Sequence, residues 1–222
     1  MAKAAKRKST TKGKKKATGG RTKQAKSARG RKAARRGNGA GRRASGREPL
    51  AIQMLKQDHR TVEDLFEEFE EAKRPADKRA IAREICLELT VHAMIEEEIF
   101  YPAVKDVVDG EIYGEAHVEH DGAKVLIAEI MAADPRDEFY DARVKVLSEM
   151  IKHHVNEEEK RDGMFAQARR GKGRRKVDFE SLAEQLESRK EDLTRLMQRN
   201  GVPAPEARTM AGARVKLGQP VA

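Results

Sequence analysis

Large apolar side chains recur at steps of three and four residues from residue 50 to about residue 170. This spacing places them on one face of an α-helix, whereas a half-buried strand would alternate strictly. It predicts four amphipathic helices, separated near Pro75, Gly110 and Pro135. Their apolar positions are Ile52, Leu55, Val62, Phe66 and Phe69 in the first helix, Ile81, Ile85, Leu89, Ile99 and Ala103 in the second, Ala116, Ala123, Ile127 and Ile130 in the third, and Val144, Leu147, Ile151 and Phe165 in the fourth.

A fifth amphipathic segment follows at residues 179 to 198, with Asp178 as its N-terminal cap and Gly201 just past its end. Amphipathic helices joined by short connections pack as antiparallel bundles. We therefore expect an all-α protein, an up-down-up-down four-helix bundle with an extra C-terminal helix on its outside or against a partner. No run of alternating β-branched residues occurs, so no sheet is predicted.

The composition divides the chain into four parts. Residues 1 to 48 contain no large apolar residue after Met1 and cannot bury enough surface to offset the entropy of ordering, so we predict a disordered basic tail. Residues 49 to 170 form the predicted bundle, residues 171 to 200 a basic loop and the fifth helix, and residues 201 to 222 a flexible tail.

Polar residues interrupt each apolar face of the bundle. Every one of the four helices has one histidine on its apolar face, and two helices add a glutamate four residues later. Residues four apart lie on one helix face, so each such pair can point at the same interior place. The set is His59, His92, Glu96, His120, His154 and Glu158.

The same spacing test separates these residues from their neighbours. His154 continues the apolar face of the fourth helix, whereas His153 does not. Glu96 and Glu158 also pass the test, and we expect the adjacent acids, such as Glu97 and Glu159, to be solvated.

A single histidine on an apolar face is usually a core residue with a satisfied hydrogen bond. Internal His–Glu pairing would explain two of the helices but would leave His59 and His120 unexplained. Buried charges cost several kcal/mol each unless they are paired or bound to metal. A metal centre accounts for all six residues, with ligands projecting from facing helices.

Imidazole and carboxylate ligands without a thiolate suit iron, manganese or zinc. Six protein ligands are too many for one tetrahedral zinc ion. Two octahedral ions bridged by the two glutamates, each completed by two histidines, fit better. Such a centre leaves room for a bridging oxygen and for a small ligand such as dioxygen, nitric oxide or peroxide.

At these residues the sequence resembles the hemerythrin-type, His-His-Glu cation-binding domain. Four motifs in order carry the resemblance: DHRTVEDLF from Asp58, HAMIEEEIFYP from His92, EHDGAKVLIAEI from Glu119 and HHVNEEEKRDGMFAQAR from His153. The resemblance implies a non-haem centre of two iron ions with an oxo or hydroxo bridge, or manganese or zinc in their place. It implies the ligands His59, His92, His120 and His154, with Glu96 and Glu158 as bridges.

The sequence departs from the oxygen-carrying hemerythrins in its third and fourth helices. The carriers have two histidines four apart in the third helix, but Ala116 stands four residues before His120. His117, three residues before, is either a further metal ligand or an exposed neighbour. The second glutamate replaces an aspartate of the carriers, and Met164 stands where the second helix has proline. The site therefore resembles the four-histidine, two-glutamate centres of bacterial iron-centre repair and nitric-oxide-responsive proteins.

Charge is distributed unevenly along the chain. Residues 1 to 48 carry 19 Lys or Arg and one acid, a charge of +18, whereas residues 49 to 222 carry 28 basic and 36 acidic residues, about −8. Such a basic segment neutralises phosphates independently of nucleic-acid sequence. Without aromatic residues it has nothing to stack on single-stranded bases. The predicted contacts come from Lys14, Lys15, Lys16, Arg31, Lys32, Arg35, Arg36, Arg42 and Arg43.

These features give three hypotheses. The first is an intracellular di-iron protein that binds or senses dioxygen, nitric oxide or peroxide, or handles iron, and is held on DNA by its tail. The second is a redox enzyme that removes peroxide or nitric oxide at the same centre. The third is an architectural DNA-binding bundle without metal. An anionic membrane surface or an acidic partner chain is the alternative target of the tail.

The sequence also bears on location. With one cysteine, Cys86, no internal disulfide can form, which fits a reducing compartment. No apolar run is long enough to span a membrane. We expect a cytoplasmic protein, with association with the nucleoid as a hypothesis that follows from the tail.

Overall fold

The computed structural model describes residues 47–172, 175–208 and 214–216. The predicted disorder of the basic tail and its nine predicted nucleic-acid contacts therefore lie outside the described residues. The helices are α1 (Leu50–Glu71), α2 (Pro75–Ile95), a π-helical turn (Glu96–Phe100), α3 (Tyr101–Val104), α4 (Gly110–Ala132), α5 (Tyr140–Glu159), α6 (Met164–Arg170) and α7 (Phe179–Asn200).

Two clusters of buried apolar residues show the relative directions of the bundle's helices. One cluster includes Ile52, Ile95 and Phe165, and the other includes Phe66 and Ile85. Along α1 and α4 the chain runs from the first cluster to the second, whereas along α2, and along α5 into α6, it runs from the second to the first. The four long helices therefore alternate in direction, which confirms the predicted antiparallel bundle.

The fifth helix forms as predicted, because Asp178 accepts a hydrogen bond from the backbone N–H of Ser181 and so caps α7. Its apolar face, which includes Leu186 and Leu193, is buried against α1 and α2. Beyond α7, two three-residue strands, β1 (Glu206–Arg208) and β2 (Arg214–Lys216), pair antiparallel. They lie in the segment for which the sequence predicts a flexible tail without strands.

The second predicted helix is not a regular α-helix over its whole length, because a π-helical turn follows α2. The backbone N–H of Tyr101 bonds to the carbonyl of Glu96, five residues earlier. The wider turn holds one extra residue, so the buried face moves to Phe100, Tyr101 and Val104. The prediction that Ile99 and Ala103 continue the buried face is therefore wrong for Ala103, which is exposed, and Ile99 is only half-buried.

The fourth predicted helix is divided at residues 160 to 163. Lys160 leaves the helical conformation with ψ 161°, and α6 starts after Gly163. A Cβ atom at Gly163 would lie 2.2 Å from the carbonyl oxygen of Glu157, so only glycine fits against the end of α5. This break allows Phe165 to be buried in a second helix, while the exposed Asp162 lies in the connection.

Cys86 is fully buried, as expected for a small core residue, and burial raises the pKa of its thiol to about 12. Among the described residues, no helix combines the length and the apolar character needed to cross a membrane.

The break after α5 gives a test of the fold. Gly163→Ala should lower the free energy of unfolding by about 2 kcal/mol, because the added methyl group overlaps backbone atoms that cannot move independently. Gly114→Ala is the matched control, because Gly114 is exposed inside α4 with no atom near its Cβ position. It should stabilise by about 0.5–1 kcal/mol. Urea titration followed by circular dichroism measures both, and equal effects would contradict the assigned break.

Candidate metal centre

A polar layer crosses the bundle between the two apolar clusters. On each of α1, α2, α4 and α5 the histidine of the apolar face lies at the boundary between the clusters. All six predicted residues are at least 94% buried: His59, His92, Glu96, His120, His154 and Glu158. The structure thus brings together every member of the set that the helical spacing selects.

The four imidazole rings meet in two pairs. The Nε2 atoms of His59 and His92 are 3.1 Å apart, and those of His120 and His154 are 3.2 Å apart. Each pair joins two adjacent helices, α1 with α2 and α4 with α5. Every ring therefore directs the same nitrogen, Nε2, toward the interior of the bundle.

The two carboxylates lie between the histidine pairs. Each has one oxygen near one ring of either pair, so the six residues form one continuous group. The distances from Glu96 Oε2 are 3.2 Å to His92 Nε2 and 3.4 Å to His120 Nε2, and those from Glu158 Oε2 are 3.5 Å to His59 Nε2 and 3.8 Å to His154 Nε2.

The outer nitrogen of each ring, Nδ1, contacts a further carboxylate, which always comes from a neighbouring element. An N–H at Nδ1 leaves the Nε2 lone pair free to bind a cation, and the carboxylate holds the ring in that orientation. The four contacts are His59 to Glu159 at 2.8 Å, His92 to Asp58 at 3.4 Å, His120 to Glu97 at 3.1 Å and His154 to Glu119 at 2.8 Å.

These outer carboxylates, which we call the bracing acids, follow a simple rule in sequence. Each bracing acid is the immediate neighbour of a buried polar residue: Asp58 of His59, Glu97 of Glu96, Glu119 of His120 and Glu159 of Glu158. Consecutive residues on a helix diverge by about 100°. One of the two therefore points into the bundle, while the other points sideways to the next helix and contacts its histidine.

Three of the four bracing acids contact a lysine or arginine on their outer side, whereas Glu119 contacts His153 there. Lys190 of α7 pairs with Asp58, and Arg60 pairs with Glu159. Lys124 lies 2.5 Å from Glu97. The polar layer is therefore three deep, with imidazoles inside, carboxylates next and cations at the surface. The expectation that Glu97 and Glu159 are solvated is wrong, since their side chains are only 11% and 21% exposed.

Electrostatics separates the two rings of the first pair. Burial lowers the pKa of His59 to about 4. Burial also acts on His92, but the carboxylates of Glu96 and Asp58 outweigh it and raise its pKa to about 10. Without a cation, the 3.1 Å contact thus joins a neutral His59 ring to a charged His92 ring.

The buried atoms of these residues that lack a hydrogen-bond partner show whether the set fits a metal ion. Glu96 Oε1 and Glu158 Oε2 are buried and have no hydrogen-bond donor among the described residues. Burial, followed by repulsion from Glu96, raises the pKa of the Glu158 carboxyl. Pairing between histidines and glutamates thus does not satisfy the layer, whereas cations bound between these oxygens and the Nε2 atoms would do so. The residues fit a metal centre.

Ligand-atom spacing divides this set into two overlapping groups. His59, His92, Glu96 and Glu158 form one group, and Glu96, His120 and His154 form the other, with ligand atoms in each within 4.8 Å of one another. Glu96 belongs to both groups.

Tyr101 also belongs to this layer, although the helical spacing did not select it. Its hydroxyl lies 3.2 Å from Glu96 Oε2, 3.1 Å from Glu158 Oε1 and 3.2 Å from His120 Nε2. The π-helical turn causes this, because its extra residue rotates Tyr101 into the bundle. The sequence signal for this residue was the aromatic pair Phe100–Tyr101, which follows the predicted ligand Glu96.

The other two histidines are outside the group of converging nitrogens. His117 is half-buried, and its Nδ1 accepts a 2.6 Å hydrogen bond from Arg208. Burial, followed by the charge of Arg208, lowers the pKa of His117 to about 4, which keeps the ring neutral and able to accept. His153 is exposed and lies near Glu115 and Glu119.

The hydroxyl of Tyr101 gives a test of the layer. Tyr101→Phe should lower the free energy of unfolding of the metal-free protein by about 1–3 kcal/mol, because it leaves buried acceptors without a partner. Tyr113→Phe serves as the control, since Tyr113 is half-buried and contacts His117, away from the carboxylates. It should change stability by less than about 0.5 kcal/mol. Denaturant titration of both variants decides, and equal losses would contradict the assigned contact.

Comparison with known proteins places this geometry in a family. The chain is similar to a DNA nickase from Nostoc sp., 30% identical over 116 residues, which are 52% of this chain and 33% of that protein. It thus spans about a third of that relative. A solved structure of a hemerythrin HHE cation-binding domain-containing protein from Mycobacterium kansasii is similar in fold, with a TM-score of 0.58 and 23% identity, over 68% of this chain and 94% of that one.

The family model of the hemerythrin HHE cation-binding domain matches residues 50–168, which include α1 to α5 and most of α6. The match covers more than half of the chain and contains the whole polar layer. The chain belongs to the hemerythrin HHE cation-binding domain family.

Proposed function

We propose that His59, His92, His120 and His154, with Glu96 and Glu158 between them, bind two iron ions, with manganese or zinc as the other candidates. One observation carries this proposal: four Nε2 atoms converge on two buried carboxylates that have unpaired oxygens. Imidazole and carboxylate ligands on facing helices are suited to iron. His117 is not part of the proposed ligand set, because its Nδ1 is occupied by Arg208.

When bound, two iron ions would supply a redox-active Lewis-acid site for dioxygen, nitric oxide or peroxide. The chain's own residues perform the other tasks. The bracing acids orient the rings, and an apolar cluster lies on either side of the layer. The Tyr101 hydroxyl holds a proton between the two carboxylates. We propose that the protein binds or senses such a ligand, or handles iron.

An anaerobic iron titration tests the metal site. We expect about two irons per chain, a visible absorption spectrum that changes with dioxygen or nitric oxide, and a higher melting temperature, because a ligand that binds only the folded state stabilises it. Steady turnover of peroxide or nitric oxide with a reductant would make the protein a redox enzyme. If the protein binds no iron and its melting temperature does not change on chelation, the hypothesis of an architectural DNA-binding bundle without metal is favoured.

Substitution of a bracing acid tests more specifically whether the metal binds in the polar layer. Glu119→Gln should weaken metal affinity about 10- to 100-fold, because the amide holds the His154 ring less firmly. Glu115→Gln is the matched control on the same helix, and its side chain belongs to an exposed group with Glu119 and His153. Competition with a coloured chelator measures both affinities. If the two variants lose affinity equally, the metal binds at the exposed group and not in the polar layer.

We also propose that residues 1 to 48 bind nucleic acid independently of its sequence. The +18 charge of this segment supports the proposal, since it can release many counterions from phosphates. The similarity to a protein named DNA nickase is consistent with DNA as the polyanion. The match covers only a third of that relative, so the proposal concerns DNA binding and not nicking.

The salt dependence of DNA affinity tests the proposal that residues 1 to 48 bind nucleic acid. Affinity for duplex DNA should fall steeply as salt rises, and the slope should flatten when Lys14, Lys15, Lys16, Arg31, Lys32, Arg35, Arg36, Arg42 and Arg43 are changed to glutamine. Changing Arg169 and Arg170, the last two residues of α6, to glutamine is the control and should have a smaller effect. Fluorescence anisotropy at several salt concentrations gives the slopes. Equal slopes for all proteins would exclude the tail as the DNA contact.

A further inference from the structure

A cavity of about 370 Å³ lies directly beside the polar layer, and we call it the antechamber. Rings of His59, His92, His120 and His154 form part of its wall. An apolar cavity of about 150 Å³ is enough to hold benzene, so the antechamber is much larger than a diatomic ligand requires. Its other walls are mainly aliphatic and include Val62, Leu89, Ala123, Ile127 and Ile151.

The outer wall of the antechamber comes from the chain that follows α7. Gly201 ends α7 with φ 81°, a conformation that favours glycine, and so redirects the chain. Pro203, Ala204, Pro205 and Glu206 then line the cavity. We call residues 201–208 the strap. Its two prolines restrict its backbone, so it can act as a stiff segment.

One residue fastens the far end of the strap. The backbone N–H of Arg208 donates to Asp121 Oδ2 at 3.1 Å, and its guanidinium donates to His117 Nδ1 at 2.6 Å. The guanidinium also lies 3.6 Å from Glu97, the bracing acid of His120. Strand β1, which contains Arg208, packs on α4. Arg208 thus attaches the far end of the strap beside the centre through partly exposed polar contacts.

We propose that the strap is a movable cover of the antechamber and that Arg208 is its latch, so that exogenous ligands reach the His/Glu centre when the latch opens. The proposal rests on the proposed function only in that it gives the centre a ligand to admit. The strap and α7 follow residues 50–168, the part of the chain that the family model matches. Breaking a few partly exposed polar contacts costs far less than opening the bundle.

Cysteine labelling in the metal-free full-length protein tests the cover. Ala123→Cys places a thiol in the antechamber wall, in a Cys86→Ala background that removes the native thiol. Methyl methanethiosulfonate, a small neutral reagent, then reports access, and mass spectrometry gives the labelling rate. Adding Arg208→Gln should raise this rate at least about tenfold.

Arg195→Gln is the matched control, because Arg195 is exposed on α7 and pairs with Asp192 of the same helix. It should leave the rate unchanged. Asp121→Ala removes the acceptor of the Arg208 backbone N–H and should raise the rate as Arg208→Gln does. Circular dichroism melting identifies any variant that fails to fold, in which case the other latch variant decides.

Two outcomes are decisive. Folded latch variants that label no faster than the Arg195→Gln control would overturn the proposal. Because the protein carries no metal in this experiment, the result is independent of iron. A chain that fails to bind iron but shows the tenfold increase would keep the cover and lose the proposed metal function.

Discussion

The structure depends on how imidazole rings are held inside an apolar bundle. A histidine buried alone on an apolar face would carry an unsatisfied nitrogen at a cost of several kcal/mol. Here every Nδ1 contacts a bracing acid of a neighbouring helix, and every Nε2 points to the interior. The contacts link α1 with α5, α2 with α1, and α5 with α4, while His120 of α4 contacts the π-helical turn after α2. They fix the ring orientations and the order of the helices around the layer at once.

This arrangement explains why four of the six polar positions of the bundle are doublets in the sequence. Asp58–His59 and Glu119–His120 supply a brace and a ring, and Glu96–Glu97 and Glu158–Glu159 supply an inner carboxylate and a brace. The inner residue of each doublet lies in the proposed ligand group, and the outer residue supports the next helix. Beyond the braces, Lys190 extends this support to α7, so the extra helix is connected to the centre through Asp58 and His92.

The short connections predicted the antiparallel arrangement. Periodicity predicted the four helices and the six converging residues, because burial on a straight helix depends only on steps of three and four. The same reasoning failed where the helix is irregular. The π-helical turn added a residue and buried Phe100 and Tyr101 in place of Ala103, and the close approach at Gly163 divided the fourth helix. Glu97 and Glu159 were wrongly expected to be solvated, because a helical pattern tells which face a residue lies on but not which side chain of the next helix it meets there. The strap was missed because its contacts join Arg208 to residues about 90 positions earlier.

The central claim is that the layer between the apolar clusters is polar because cations bind there. Anomalous diffraction at the iron absorption edge, from crystals of iron-loaded protein, tests this most directly. The account predicts two peaks between the paired Nε2 atoms, both within ligand distance of Glu96 or Glu158. Peaks at the exposed group of Glu115, Glu119 and His153, with none inside the bundle, would contradict it.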